Sequence, residues 1–191
     1  MEQGNLDSIR KYQELDPSLY EEVVSDEVKW KGRIFSADLL KVKLPDGSYG
    51  DREIAWHHGG CGVAVLRDGK ICLVRQYRVA LGRMTLEIPA GKRDENEAPE
   101  DCAARELIEE TGLIADELVP IATFAGSIGF TNEATHIYKA VGLRQSVAHP
   151  DVGEFVRTIW LPLEDVLEGA RAGLIQDGKT IIAAQALALG R

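Results

Sequence analysis

This chain has few of the residues that staple a fold covalently or neutralise a polyanion. Its three cysteines (Cys61, Cys72 and Cys102) are widely spaced in 191 residues and form no C-x-x-C pair. That excludes a disulfide framework and argues against a cysteine-rich zinc module; the thiols are expected to be small core residues in a reducing compartment, the cytoplasm. Lysine and arginine number 22 against 31 aspartates and glutamates, a net charge of −9, so no phosphate-neutralising surface for nucleic acid is expected. No window approaches the roughly eighteen uncharged apolar residues of a membrane helix, so no membrane partner is expected. The opening MEQGNLDSIRKYQELD lacks the apolar stretch of a secretion signal. Repeats and low-complexity segments are absent. His57, His58, His136 and His149 show no zinc-ligand spacing. Gly59-Gly60-Cys61-Gly62 has neither dinucleotide nor Walker spacing and is expected to ease entry into a strand. Trp30 and Trp56 are expected to pack rather than to stack on a base.

What is present suits one domain, or one with a short appendage: 45% hydrophobic and 28% charged residues can build a sizeable core. An acidic protein that handles a phosphorylated ligand needs cations between the two, which points towards a divalent metal. Residues 1–30 read as a polar, partly helical arm. Strand alternation from Ile34 to Leu44 ends at Pro45-Asp46-Gly47, and CGVAVLRDGKICLVRQYR reads as a hairpin split at Asp68-Gly69. Thr85–Ile88 is a short strand stopped by Pro89-Ala90-Gly91. Pro99–Thr111 is a helix with proline in its first turn and Gly112 at its C-cap. Strand-like runs follow at 118–125, 134–141 and 155–161, then helices over LEDVLEGARAGL and 179–189. The order implies a mixed-sheet α/β sandwich, with residues 1–55 as an N-terminal arm or β region and 56–191 as the main domain.

The informative segment is GKRDENEAPEDCAARELIEETGL, residues 91–113. On a helical wheel Glu106, Glu109 and Glu110 fall within about 100° of one another, opposite Ala103, Ala104, Leu107 and Ile108. Glu106 and Glu110 stand at i,i+4, where like charges cost about 0.2–0.5 kcal/mol. Magnesium or manganese would offset that repulsion, because hard cations take carboxylate oxygens and retain waters. From the wheel alone the stripe could also be a solvated acidic face, with Arg105 and Glu109 as an ordinary ion pair.

Spacing separates the two readings. Gly91, Glu97, Arg105, Glu106, Leu107, Glu109, Glu110, Gly112 and Leu113 fit G-x5-E-x7-R-E-U-x-E-E-x-G-U, with U aliphatic. Seven fixed residue types give a chance match of roughly one in a billion per starting point. The segment resembles the signature of the Nudix hydrolases. RQYR (75–78), LEIPAGK (86–92), GFTNE (129–133), LPDGSYGDREI (44–54) and WLPLEDV (160–166) resemble its ADP-ribose pyrophosphatase branch.

The resemblance implies a Nudix-type α/β/α sandwich with a small N-terminal β region that serves dimerisation. It implies hydrolysis of ADP-ribose or a related nucleoside diphosphate sugar to a nucleoside monophosphate and a sugar phosphate, with magnesium as cofactor and manganese as a substitute. By the same resemblance Glu106 and Glu110 would be the main metal ligands, with Glu109 and the Ala90 carbonyl assisting. Arg105 would orient the carboxylates, and Glu97 would support the helix start. Arg78 first and Arg52 second would clamp the diphosphate, Glu133 would reach the substrate, and Glu87 would approach the metals. Glu154 would be the general base, with Glu109 as alternative. Relatives acting on ADP-ribose carry proline where this chain has Ile128, which leaves the base and sugar open. A dinucleoside polyphosphate hydrolase and a non-catalytic ADP-ribose sensor are the competing readings; the retained carboxylates weigh against the sensor.

Overall fold

The computed structural model describes residues 6–150, Gly153 and residues 155–190. The chain forms two compact units that divide between Trp56 and His57.

The N-terminal unit holds α1 (Asp7–Tyr12), β1 (Glu22–Lys31), β2 (Phe35–Lys43) and β3 (Tyr49–His57). Its three strands form one sheet in that order, with Glu22 opposite Lys43 and Lys31 opposite Ser36 in the antiparallel β1–β2 ladder. The expectation of a partly helical arm over residues 1–30 missed a strand: among the described residues of that stretch Asp7–Tyr12 is helical, while β1 is a ten-residue strand. Val23, Val24, Val28 and Trp30 favour extended backbone, and β2 supplies the ladder their charged neighbours conceal in the sequence.

The second unit holds β4 (Gly60–Ala64), β5 (Leu66–Arg67), β6 (Lys70–Arg78), a short 3₁₀ turn (Val79–Leu81), β7 (Arg83–Glu87), β8 (Ala90–Lys92), α2 (Pro99–Thr111), β9 (Leu113–Ala125), β10 (Ala134–Gln145), β11 (Arg157–Pro162), α3 (Leu163–Arg171) and α4 (Gly178–Ala188). One sheet runs β8-β4-β10-β9, with β4 and β10 parallel and the other pairs antiparallel. The other runs β11-β6-β5, with β7 pairing the C-terminal part of β6 on the side away from β11. At the β5–β6 turn Asp68 (φ 51°) and Gly69 (φ 73°) both adopt left-handed backbone, as a two-residue hairpin requires.

Strand alternation divides the core into two layers. Cys61, Val63 and Val65, with Cys72 and Tyr138, pack under α2 against Cys102, Ala103 and Leu107. The intervening Ala64, Ile71, Leu73 and Ile137 face the other way, onto Val166 of α3 and Ala183, Ala184 and Leu187 of α4. The result is an α/β/α sandwich with α2 on one face and α3 and α4 on the other, as the period-two pattern of β4 and β6 implies. Helix α2 has Pro99 at its first position and Gly112 (φ 68°) at its C-cap, the asymmetry read from the sequence.

Candidate active site

Helix α2 presents its carboxylates to the protein, not to bulk solvent. Glu106 is 9% exposed and Glu110 only 2%, which removes the solvated-face reading. The packed side is narrower than the wheel suggests: Ala103 and Leu107 are fully buried, whereas Ala104 and Ile108 keep partial exposure.

Arg105 binds three of the helix's acidic neighbours. Its Nε and Nη2 donate to the two oxygens of Glu97 at 2.9 and 3.0 Å, and its Nη1 donates to Glu106 at 2.8 Å and Glu109 at 2.9 Å. Nη2 also donates to the Lys92 carbonyl at 3.1 Å, tying the helix to β8. A planar fork of five donors suits this task; a lysine ammonium could not hold all these acceptors. The Arg105 hydrogen bonds hold Glu97 down to about 2 against the opposing effect of burial, and Glu97 in turn holds the arginine charged. Glu110 accepts the Ala90 N–H at 2.8 Å, so its carboxylate sits at the start of β8. The Glu106 carboxylate lies over Gly91, where any Cβ would collide with it. Gly91 therefore lets α2 close onto β8.

Glu87, 4% exposed, forms a second knot at the end of β7. Arg78 donates to both its oxygens at 2.7 Å, Thr85 donates its hydroxyl at 2.7 Å, and Lys179 donates at 2.6 Å. Burial alone would raise its pKa, but the Arg78 hydrogen bonds and the Lys179 charge outweigh it and hold the group at about 2. Lys179 stands at the start of α4, where Asp177 caps the helix and accepts from Lys179 at 2.9 Å. Fully buried Thr180 accepts the Ile88 N–H at 2.8 Å and donates to Asp177, so the start of α4 is fixed to the β7–β8 junction.

Both knots border one cleft of about 930 Å³. Ala90, Gly91, Arg105, Glu106 and Glu109 form one wall, and Arg78 and Lys179 another. Tyr77, Phe155 and His57 supply its aromatic surface, and Glu133 lies at its rim with a carboxylate oxygen 3.9 Å from His57 Nδ1. That nitrogen accepts the Gly59 N–H at 2.8 Å, so a neutral ring carries its proton on Nε2.

The structure thus brings together Ala90, Arg105, Glu106, Glu109, Arg78 and Glu133, with Glu110 buried beside Ala90. Glu87 is engaged by Arg78 and Lys179. Arg52 belongs to the N-terminal unit, where Glu21 accepts from its Nε at 2.9 Å and from its Nη2. Glu154 lies outside the described residues. Ile128 is 85% exposed in the connection between β9 and β10. Lys179 went unnoticed in the sequence: it belongs to no motif and lies 92 positions from the carboxylate it meets.

Among the described residues no three histidine, cysteine, aspartate or glutamate side chains converge closely enough to hold an ion as they stand. The donor chemistry nevertheless suits a hard divalent cation. Glu106 and Glu109 share one arginine nitrogen, Glu110 lies next along the helix, and all donors are oxygens.

This arrangement, an acidic helix stapled by arginine to a glycine-bearing strand beside a cationic knot, defines a class of phosphate-handling hydrolase folds. The chain belongs to the NUDIX family: the NUDIX domain model matches residues 56–184, and members of this family generally use divalent metal ions. It is 39% identical over 172 residues to the methanol dehydrogenase activator of Bacillus methanolicus, covering 88% of this chain and 93% of that protein. It is 38% identical over 175 residues to the ADP-ribose pyrophosphatase of Bacillus subtilis (strain 168), covering 90% and 95%. Among solved structures, an ADP compounds hydrolase superposes with a TM-score of 0.79 over 91% of this chain and 95% of its own, at 18% identity; that likeness concerns the fold.

Proposed function

We propose that this protein is a Nudix pyrophosphatase that uses magnesium, or manganese in its place, to hydrolyse the diphosphate bond of ADP-ribose or a related nucleoside diphosphate sugar. The observation that carries the reading is the pairing of Glu106 and Glu109, held on one arginine nitrogen, with the Arg78–Lys179 knot across one cleft. Similarity to an ADP-ribose pyrophosphatase over 95% of that relative's length supports it. The activator relative is equally similar, so the choice of substrate rests on the cleft.

Glu106, Glu109 and Glu110, with the Ala90 carbonyl, would hold the cation. Bound there, the ion supplies neutralisation of the diphosphate and a lowered pKa for water. The chain's own groups do the rest. Arg105 holds Glu106 and Glu109 in place through its Nη1. Arg78 and Lys179 present N–H donors to the diphosphate oxygens, and the charge of Glu87 holds both in place. A carboxylate takes the proton of the attacking water as its oxygen bonds to one phosphorus and the bridging P–O bond breaks. Glu154 and Glu109 are the candidates for that base. The products are a nucleoside monophosphate and a sugar phosphate. The N-terminal unit, including Arg52, would join two copies into a homodimer in the cytoplasm.

The test is release of phosphatase-sensitive product from ADP-ribose, GDP-mannose and UDP-glucose with magnesium. Wild type should cleave at least one of them. Glu110→Gln should lose at least about 100-fold in kcat, since losing a cation ligand removes several kcal/mol of transition-state stabilisation. No cleavage of any member, with Glu110→Gln binding magnesium like wild type, would overturn the reading.

A further inference from the structure

We propose that a second, smaller pocket beside the cleft is the subsite for the sugar end of the substrate, read by Arg83 and Gln176. The inference rests on the pyrophosphatase reading above and adds an orientation to it. The pocket measures about 480 Å³ and, among the described lining residues, shares only Arg78 and Lys179 with the larger cleft. The two cations therefore stand on the divide between two cavities. A nucleoside diphosphate sugar has the same layout: a doubly charged link with a different group on either side.

The two cavities differ in chemistry, and the difference assigns the ends. The larger cleft carries Tyr77, Phe155 and His57, the flat surfaces on which a nucleobase stacks. The smaller pocket has no aromatic side chain among its described lining residues; its floor is aliphatic, with Leu86 and Ile175. Such a floor suits the C–H faces of a sugar ring, while its hydroxyls need planar polar partners. Arg83 and Gln176 supply them. Gln176 accepts from Arg83 Nη2 at 2.5 Å and donates to the Gly173 carbonyl at 2.9 Å, so its amide orientation is fixed from both ends. Arg83 Nε and Nη1 meet no acceptor among the described residues. That leaves donors on two different edges of the guanidinium, Nε–H and the Nη1 hydrogens, for sugar hydroxyls. Asp177, engaged by Lys179 and Thr180, closes the inner edge of the pocket.

The experiment compares ADP-ribose with the methyl ester of ADP, which keeps the nucleoside and diphosphate but lacks the sugar. Arg83→Ala and Gln176→Ala remove partly exposed side chains from the surface and should leave the melting temperature unchanged. Each should lower kcat/KM for ADP-ribose about 10- to 100-fold, the worth of one or two hydrogen bonds to a charged donor. The methyl ester should change less than about twofold. Equal losses on both compounds would assign the pair to the diphosphate clamp and overturn the proposal, as would no loss on either. Calorimetric binding of α,β-methylene ADP-ribose with magnesium separates this proposal from the reading beneath it. If wild type hydrolyses nothing but the variants weaken binding of the analogue, the subsite stands and the hydrolase reading falls. If analogue binding is unaltered by either variant, the subsite falls whatever the activity.

Discussion

Glu87 shows how one side chain can decide the behaviour of a site without reaching the reacting atoms. The sequence places it beside the signature glycine and suggests a metal ligand, yet both its oxygens are taken up by Arg78, Thr85 and Lys179. A buried carboxylate between two cations is costly to protonate, and its pKa falls from an ordinary 4.5 to about 2. Because the folded-state value lies below the unfolded one, the stabilisation is complete above about pH 5. It is lost as the pH falls through 4.5 towards 2. The difference corresponds to about 3 kcal/mol. Urea unfolding of wild type and Glu87→Gln from pH 7 to pH 2.5 checks this. Glu97, held low by Arg105, contributes its own acid sensitivity to both proteins, so the informative quantity is the difference between them. The gap should be widest at neutral pH, where the variant leaves the largely buried Lys179 and its neighbour Arg78 without their anion, and should close in acid. A gap independent of pH would show that Glu87 is not the ionised centre of the knot.

Between elements, the decisive fit is α2 against β8. Gly91 has no side chain because the Glu106 carboxylate occupies that space. In Gly91→Ala the obstructed group is the far end of a flexible side chain, so the helix can stay while the carboxylate swings away. The expected outcome is a melting temperature within a few degrees of wild type and a loss of at least about tenfold in kcat. A large fall in stability with kcat retained would locate the role of the glycine in folding instead. This fit also shows what the sequence could reveal. Elements with local signals were legible: the Asp68-Gly69 turn, the Pro99 start and Gly112 end of α2, and the two apolar runs of β4 and β6 all depend on neighbouring residues. The α2 carboxylates were legible because they share one helix and a fixed spacing. Strand β1 was not, since its charged residues alternate with valines in no clean period and its partner begins several residues later. Lys179 was hidden for the same reason on a larger scale. Only the folded chain brings the start of α4 to Glu87, through the Thr180–Ile88 hydrogen bond.

At the scale of the whole molecule, the N-terminal unit has an unsatisfied surface. Strand β1 is the edge of a three-stranded sheet and is exposed along all ten residues. Val23, Val24, Val28 and Trp30 on it are each more than half exposed. A long edge strand with apolar side chains is a template for pairing, and natural proteins seldom leave one open. Lys29 and Lys31 interrupt it, but they do not shorten the ladder. The proposed homodimer gives this edge a role, because a second copy would cover the valines and satisfy the outer backbone groups. Sedimentation at tens of micromolar should show a dimer, and Val28→Lys, which places a charge in the middle of the edge, should shift it to monomer without unfolding the catalytic unit. If the wild type sediments as a monomer across that range, the exposed strand needs another partner. The N-terminal unit would then be an appendage whose apolar edge must be explained separately from the cleft.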